Sequence, residues 1–321
     1  MNAKKITAAL SQGIFKGDKL AFARAISAVE NDHSTAVAIL DDAANHLGHA
    51  KIIGITGPPG AGKSTLTSSL IGAFRDRNLT VGVIAVDPSS PLTGGAILGD
   101  RIRMSNFSND DGVFIRSLAS RGSVGGLSRA TSKVANLMDA AGFDVVLIET
   151  VGAGQSEVEI MNYADVTVVV SAPGLGDEIQ AFKAGILEIA DILVVNKADL
   201  EHADITVQQL MGSVALGRAD GRDVPVLKTI ATTHEGITDL ADAVLDIAQR
   251  TINDASTGVD IKRARSMMAT RASDMLAKNI RKTKLPELDA LAQKLASGEI
   301  DLDTASEAAL KALQPGGIDK K

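Results

Sequence analysis

Short, almost unbroken apolar runs recur along the chain: KIIGIT (51–56), VGVIAV (81–86), VFIRSL (113–118), DVVLIE (144–149), VTVVVS (166–171), ILVVNK (192–197) and VPVLKTI (224–230). Runs this short and this rich in Val and Ile, each followed by a helical stretch, predict buried parallel strands in βα units. Helices are predicted over 63–77, 127–141, 177–189 and 237–252. The last places Ile237, Leu240, Ala241, Val244, Leu245, Ala248 and Ile252 on one face at the 3.6-residue period. Upstream, DKLAFARAISAVE reads as a helix, and a second starts at Ser34 and stops before Gly48.

NDASTGVD (253–260) is a polar break and marks a boundary. Beyond it, 261–283 is basic and amphipathic, with Ala264, Met268, Met275 and Ile280 among its apolar positions. Residues 286–313 are acidic, with a turn at SGEID. The pattern therefore predicts an N-terminal helical extension (1–50), an α/β domain (51–252) and a C-terminal helical arm (253–321). An arm that leaves a finished domain must bury its apolar stripe, and a second copy is an economical partner, so a homodimer is expected.

Composition narrows the class. The 321 residues are 45% hydrophobic and 22% charged, ordinary for a globular protein, but only 2% aromatic, with no Trp and one Tyr. So aliphatic a composition suits helices packed on a parallel sheet and offers little surface for stacking nucleic-acid bases. A net charge of −6 and a pI near 5.4 give no global attraction to nucleic acid or anionic lipid. The absence of cysteine excludes disulfides, thiol nucleophiles and thiolate metal sites. The N-terminus has no apolar secretory core and no segment reaches the ~18 apolar residues of a membrane span, so the expected setting is cytoplasmic.

GITGPPGAGKST follows the first strand and opens a helix. Gly57, Pro58, Pro59, Gly60, Ala61, Gly62, Lys63, Ser64 and Thr65 form the expected phosphate loop. Its glycines let backbone N–H groups turn inward to phosphate oxygens, and the helix N-terminus adds its positive end. The two prolines lack N–H, so donors come mostly from Gly60 to Thr65. Lys63 would reach the β and γ phosphates, and Ser64 would ligand Mg²⁺. VVNKADL places Asn196, Lys197 and Asp199 at the end of a strand. An aspartate there can accept N1–H and the exocyclic N2–H of guanine together, a donor pair adenine lacks, so GTP/GDP is expected rather than ATP.

More acidic residues stand at or beyond strand ends. Asp87 closes one run and opens DPSSPLTGGAILGDRIRM, which contains Asp100 and has no clear period. Glu149 ends another, in VLIETVGAGQSEVEI. Carboxylates in such positions suit Mg²⁺, which keeps several waters and is often held through them. The extra methylene of Glu149 would let it reach a metal-bound water from a strand end set slightly back. Gln155 is the candidate for orienting an attacking water, though it lies three residues after Gly152 rather than beside it. Arg116 and Arg121 are further candidates for stabilising transition-state charge. The five histidines, His46 and His49 among them, lack a third ligand nearby.

Taken together, GITGPPGAGKST, VIAVDPSSPLTGGAILGDRIRM, IETVGAGQSE, DEIQAFKAGILEIADILVVNKAD and ASGEIDLDTASEAALKAL resemble the GTPases associated with methylmalonyl-CoA mutase, the MeaB/ArgK/MMAA type, through most of the chain. That resemblance implies a homodimeric P-loop GTPase with a slow intrinsic rate. It implies a chaperone for an adenosylcobalamin-dependent acyl-CoA mutase, gating cofactor loading and protecting the mutase from inactivation. On it, Ser64, Asp87, Asp100 and Glu149 match metal and switch positions, and Asn196, Lys197 and Asp199 match the guanine site. A third switch segment would run Ala172–Lys183, with Lys183 pairing with switch carboxylates. The family usually has Ser-Ala in its last guanine-contacting loop, where this chain has Ile230, Ala231 and Thr232. Backbone N–H contacts survive that change, and a hydroxyl contact from position 230 does not. Two other classes compete: a nickel or cobalt metallochaperone GTPase, which the lack of cysteine disfavours, and a P-loop kinase, which the Asn196–Asp199 motif disfavours.

Overall fold

The computed structural model describes residues 3–15, 17–31, 35–87, 105–107, 109–119, 129–150, 163–175, 189–217, 224–254, 261–283 and 285–313. They divide into two compact units, 1–263 and 264–321.

The first unit is built on seven strands: β1 (Lys51–Thr56), β2 (Val81–Asp87), β3 (Val113–Ala119), β4 (Val145–Glu149), β5 (Val166–Ser171), β6 (Ile192–Asn196) and β7 (Val226–Thr229). They pair in the order β3-β2-β4-β1-β5-β6-β7, and every pairing is parallel. Each apolar run of the sequence became one strand, with ends within two residues of expectation. Alternation splits each strand between two faces. Val166, Val168, Val170, Ile192 and Val194 join Ile53 and Ile55 in one cluster, whereas Val169, Leu193 and Val195 join another.

The first cluster is closed by α4 (Lys63–Asp76) and α7 (Ile237–Asp254), through Leu66, Leu70, Phe74, Leu240 and Val244. The second is closed by α6 (Ala203–Gly217), through Leu210. The helix α5 (Arg129–Ala140) lies against β2 and β4; α2 (Lys19–Glu30) and α3 (Ala36–Ala43) stack upon it, and α1 (Ala3–Phe15) packs on α2 and α3. The predicted helix over 177–189 lies outside the described residues but for its last position.

A buried polar knot ties this layer together. Asp139, at the end of α5, accepts from the backbone N–H groups of Gly48, His49 and Ala50 at 2.9–3.0 Å. Its Oδ2 also accepts from Arg263 at 2.6 Å, and both side chains are buried. Arg263 donates to Asn136 as well and lies over the ring of Tyr163.

The helix α8 (Ile261–Lys282) starts in the first unit. Within the second, α9 (Pro286–Ala296) and α10 (Leu302–Ala312) make a helical hairpin that buries Leu288, Ala305 and Ala309. Pro286 begins α9 where a missing N–H costs nothing, and Asp301 caps α10 by accepting from Thr304 N at 2.7 Å. Among the described residues, no helix is long and apolar enough to cross a membrane.

Candidate nucleotide site

The strand β1 lies between β4 and β5, where chain connections depart to opposite sides of the sheet. In an open parallel sheet the crevice beyond the strand ends at such a point is where ligands bind. Residues 57–62 leave β1 into this crevice and return as α4. Their path depends on glycine where backbone or side chains come close. A Cβ on Gly57, whose φ is 145°, would sit 2.1 Å from Val170 O in the neighbouring strand. One on Gly62, with φ 89°, would sit 2.4 Å from Asn196 Nδ2.

Inside the loop, Lys63 is buried and its ammonium donates to Gly57 O at 2.7 Å and Pro58 O at 3.0 Å. A fixed cation at the N-terminus of a 14-residue helix, ringed by loop backbone, is suited to polyphosphate. Pro59 and Gly60 are exposed at the rim.

The strand register explains the reach of Glu149. It is level with Ile55 on β1 and Ala85 on β2, whereas Asp87 ends β2 two residues further on. Two strand residues are about 6.6 Å of rise. From that recessed position the carboxylate of Glu149 still accepts from Ser64 Oγ at 2.6 Å, and both side chains are buried. A hydroxyl from the first turn of α4 and a carboxylate from the end of β4 are hard oxygen donors of the kind Mg²⁺ takes, so these residues fit that ion. Of Asp87 only the backbone position is described, and Asp100, Gln155 and Lys183 lie outside the described residues.

The residues read as the guanine site converge on Asn196. Its Nδ2 donates to Ala61 O at 2.9 Å, and its Oδ1 accepts from Thr229 Oγ1 and Ala231 N, both at 3.2 Å. One buried carboxamide thus joins the phosphate loop, the end of β7 and the loop 230–232. Lys197 takes a left-handed backbone (φ 56°), rare outside glycine, and its ammonium donates to Gly60 O at 2.7 Å. Asp199 follows with an exposed carboxylate. The loop after β7 is closed by Ile230 N, which donates to Glu235 O at 3.0 Å, and leaves Thr232 exposed.

Two observations lay outside the sequence reading. Ser69, on α4, donates to Ala231 O at 2.7 Å, 162 residues away, a contact no local pattern signals. Arg116 is engaged away from the crevice, donating to Glu30 of α2 at 2.6 Å. Arg121 lies outside the described residues.

Comparison with known proteins places this geometry in context. Residues 22–285 match the family model described as methylmalonyl Co-A mutase-associated GTPase MeaB. A putative GTPase of Pyrococcus abyssi is 45% identical over 94% of this chain and 95% of its own length. The GTPase ArgK of Escherichia coli is 37% identical over 72% of each chain. A crystal structure of an LAO/AO transport system kinase shares the fold, with a TM-score of 0.69 at 24% identity, covering 98% of this chain and 99% of that one. A parallel sheet with a phosphate loop at its switch point, an Asn-Lys-x-Asp strand end bonded to that loop, and these matches lead to one assignment: the chain belongs to the MeaB family of P-loop GTPases.

Proposed function

We propose that this protein is a cytoplasmic, GTP-hydrolysing chaperone of an adenosylcobalamin-dependent acyl-CoA mutase of the methylmalonyl-CoA type, gating cofactor loading and protecting the mutase from inactivation. The observation that carries the reading is the Asn196 junction, which couples a guanine-reading strand end to the phosphate loop in a chain of the mutase-associated family.

In this reading residues 57–65 wrap the phosphates. Lys63 exchanges its hold on the carbonyls of Gly57 and Pro58 for β- and γ-phosphate oxygens. Ser64, Asp87, Asp100 and Glu149 hold Mg²⁺ directly or through water, and the ion supplies charge neutralisation on the phosphates. Asp199 accepts from guanine N1–H and N2–H; of the three loop residues expected to offer backbone N–H groups to the base carbonyl, Ile230 gives its own to Glu235 O and Ala231 to Asn196 Oδ1, which leaves that of Thr232. Gln155 orients the attacking water. Lys183, in the segment 172–183, pairs with switch carboxylates and relays partner binding.

The arm has a natural occupant in a second copy. Ile261, Met268 and Met275 recur every seven residues along α8 and are 69%, 66% and 54% exposed. Apolar positions at heptad spacing form the seam on which helices of two chains pair.

The test is steady-state GTP hydrolysis by the purified protein, alone and with the cobalamin-dependent mutase of the same organism, with ATP as control. A slow GTP-only rate that rises on adding mutase is expected. A rate indifferent to every cobalamin mutase supplied would remove the chaperone role and leave the GTPase.

A further inference from the structure

The loop 230–232 carries Ile where a hydroxyl residue would commonly help to fix it, so what holds it in place has to be found elsewhere. Its middle residue, Ala231, is buried and tied through both backbone groups. Ala231 N donates to Asn196, and Ala231 O accepts from Ser69. Ser69 is itself buried on α4, six residues after Lys63, and has one proton to give. Two acceptors lie in range, Ala231 O at 2.7 Å and Thr65 O at 3.1 Å, and the shorter contact is the one to the loop.

That contact orients the next peptide unit. A trans peptide is planar and points its C=O and N–H in opposite directions. Directing Ala231 O inward to Ser69 therefore turns Thr232 N–H outward, at an exposed position of the loop. An outward backbone donor at this place recognises a purine that has an oxygen at C6 and finds no acceptor on one that has an amino group there.

We propose that Ser69 is a positioning residue for base specificity, setting the loop donor that separates 6-oxo from 6-amino purine nucleotides. This rests on the guanine reading of the site and adds a division of labour to it. Asp199 reads N1–H and the 2-amino group, whereas the loop held by Ser69 reads O6.

The test is the affinity of the full-length protein and its Ser69→Ala variant for GDP, IDP and ADP, with folding checked by circular dichroism. IDP keeps O6 and lacks the 2-amino group, so the two recognition elements separate. Ser69→Ala is expected to weaken GDP and IDP alike, by about 5- to 30-fold for one lost hydrogen bond, with ADP unchanged. KM for GTP rises in step while kcat stays within about twofold, since the loop 230–232 meets the base rather than the phosphates. Ser69→Thr, which keeps the hydroxyl, restores GDP binding. Equal weakening of all three nucleotides, or GDP and IDP affinities like those of the wild type, would overturn the proposal. A wild-type protein that binds ADP as tightly as GDP would instead remove the guanine reading beneath it, and that outcome is visible before any variant is made.

Discussion

Asp139 has no exposed surface, yet its carboxylate is fully engaged, by three backbone N–H groups and the guanidinium of Arg263. Charges taken out of water persist only when so matched, and removing one partner of such a pair costs about 3–5 kcal/mol. Tyr163 reports on this knot, because it is the single tyrosine of the chain and there is no tryptophan. Its hydroxyl donates to Ser132 O at 2.7 Å and is bonded to Asn136. Burial lifts its pKa well above the usual phenol value, outweighing the lowering by Arg263 beside it. The folded value is thus raised over an unfolded value of about 10, so this group's contribution to stability is complete below that pH and is lost as pH rises through the folded value. Alkaline titration followed by tyrosinate absorbance should show the phenol ionising only together with loss of the helical circular dichroism signal. A phenol that titrates near its usual value in protein with intact helix signal would contradict the burial.

At the scale of elements, strands were legible and some helices were not, for a physical reason. A central strand buried on both faces is written locally as a short run of apolar letters rich in Val and Ile. Helix α6, by contrast, leaves Ile205 and Met211 about half exposed and buries Ala203, Thr206 and Leu210, so its apolar residues trace no single stripe. Helix α1 is held from far along the chain, as where Ser11 Oγ donates to Asp42 Oδ2 at 2.8 Å. The phosphate loop, Glu149 and Asn196 were readable because motif spacing encodes them. Ser69 was not, because its partner lies across the fold. The same sheet that made β1 and β5 readable constrains the loop that leaves β1. Gly57→Ala is expected to destabilise by about 2–4 kcal/mol, since the new Cβ meets a strand carbonyl that cannot swing aside. Thermal unfolding and nucleotide binding measured on one sample check this. A variant with unchanged melting temperature would show that the loop can move off Val170.

For the whole molecule, the homodimer proposed on the exposed apolar positions of α8 is open to a direct test. Met268→Asp with Met275→Asp is expected to turn a dimer into a monomer, measured by light scattering on a sizing column, without lowering the melting temperature of the sheet unit. A dimer of unchanged affinity would remove the seam from α8. Shortening the chain at Thr257 is a harsher test, because it also deletes Arg263 and strips Asp139 of its cation. That linkage sets a schedule during synthesis. Arg263 is added 124 residues after Asp139, about 6–25 s later at roughly 5–20 residues per second. A nascent chain that has completed all seven strands therefore still holds the Asp139 carboxylate by backbone N–H groups alone, without its cation. Full stability of the sheet unit arrives with the first turn of the arm, so partner-free chains stalled before that point are the ones most exposed to proteases.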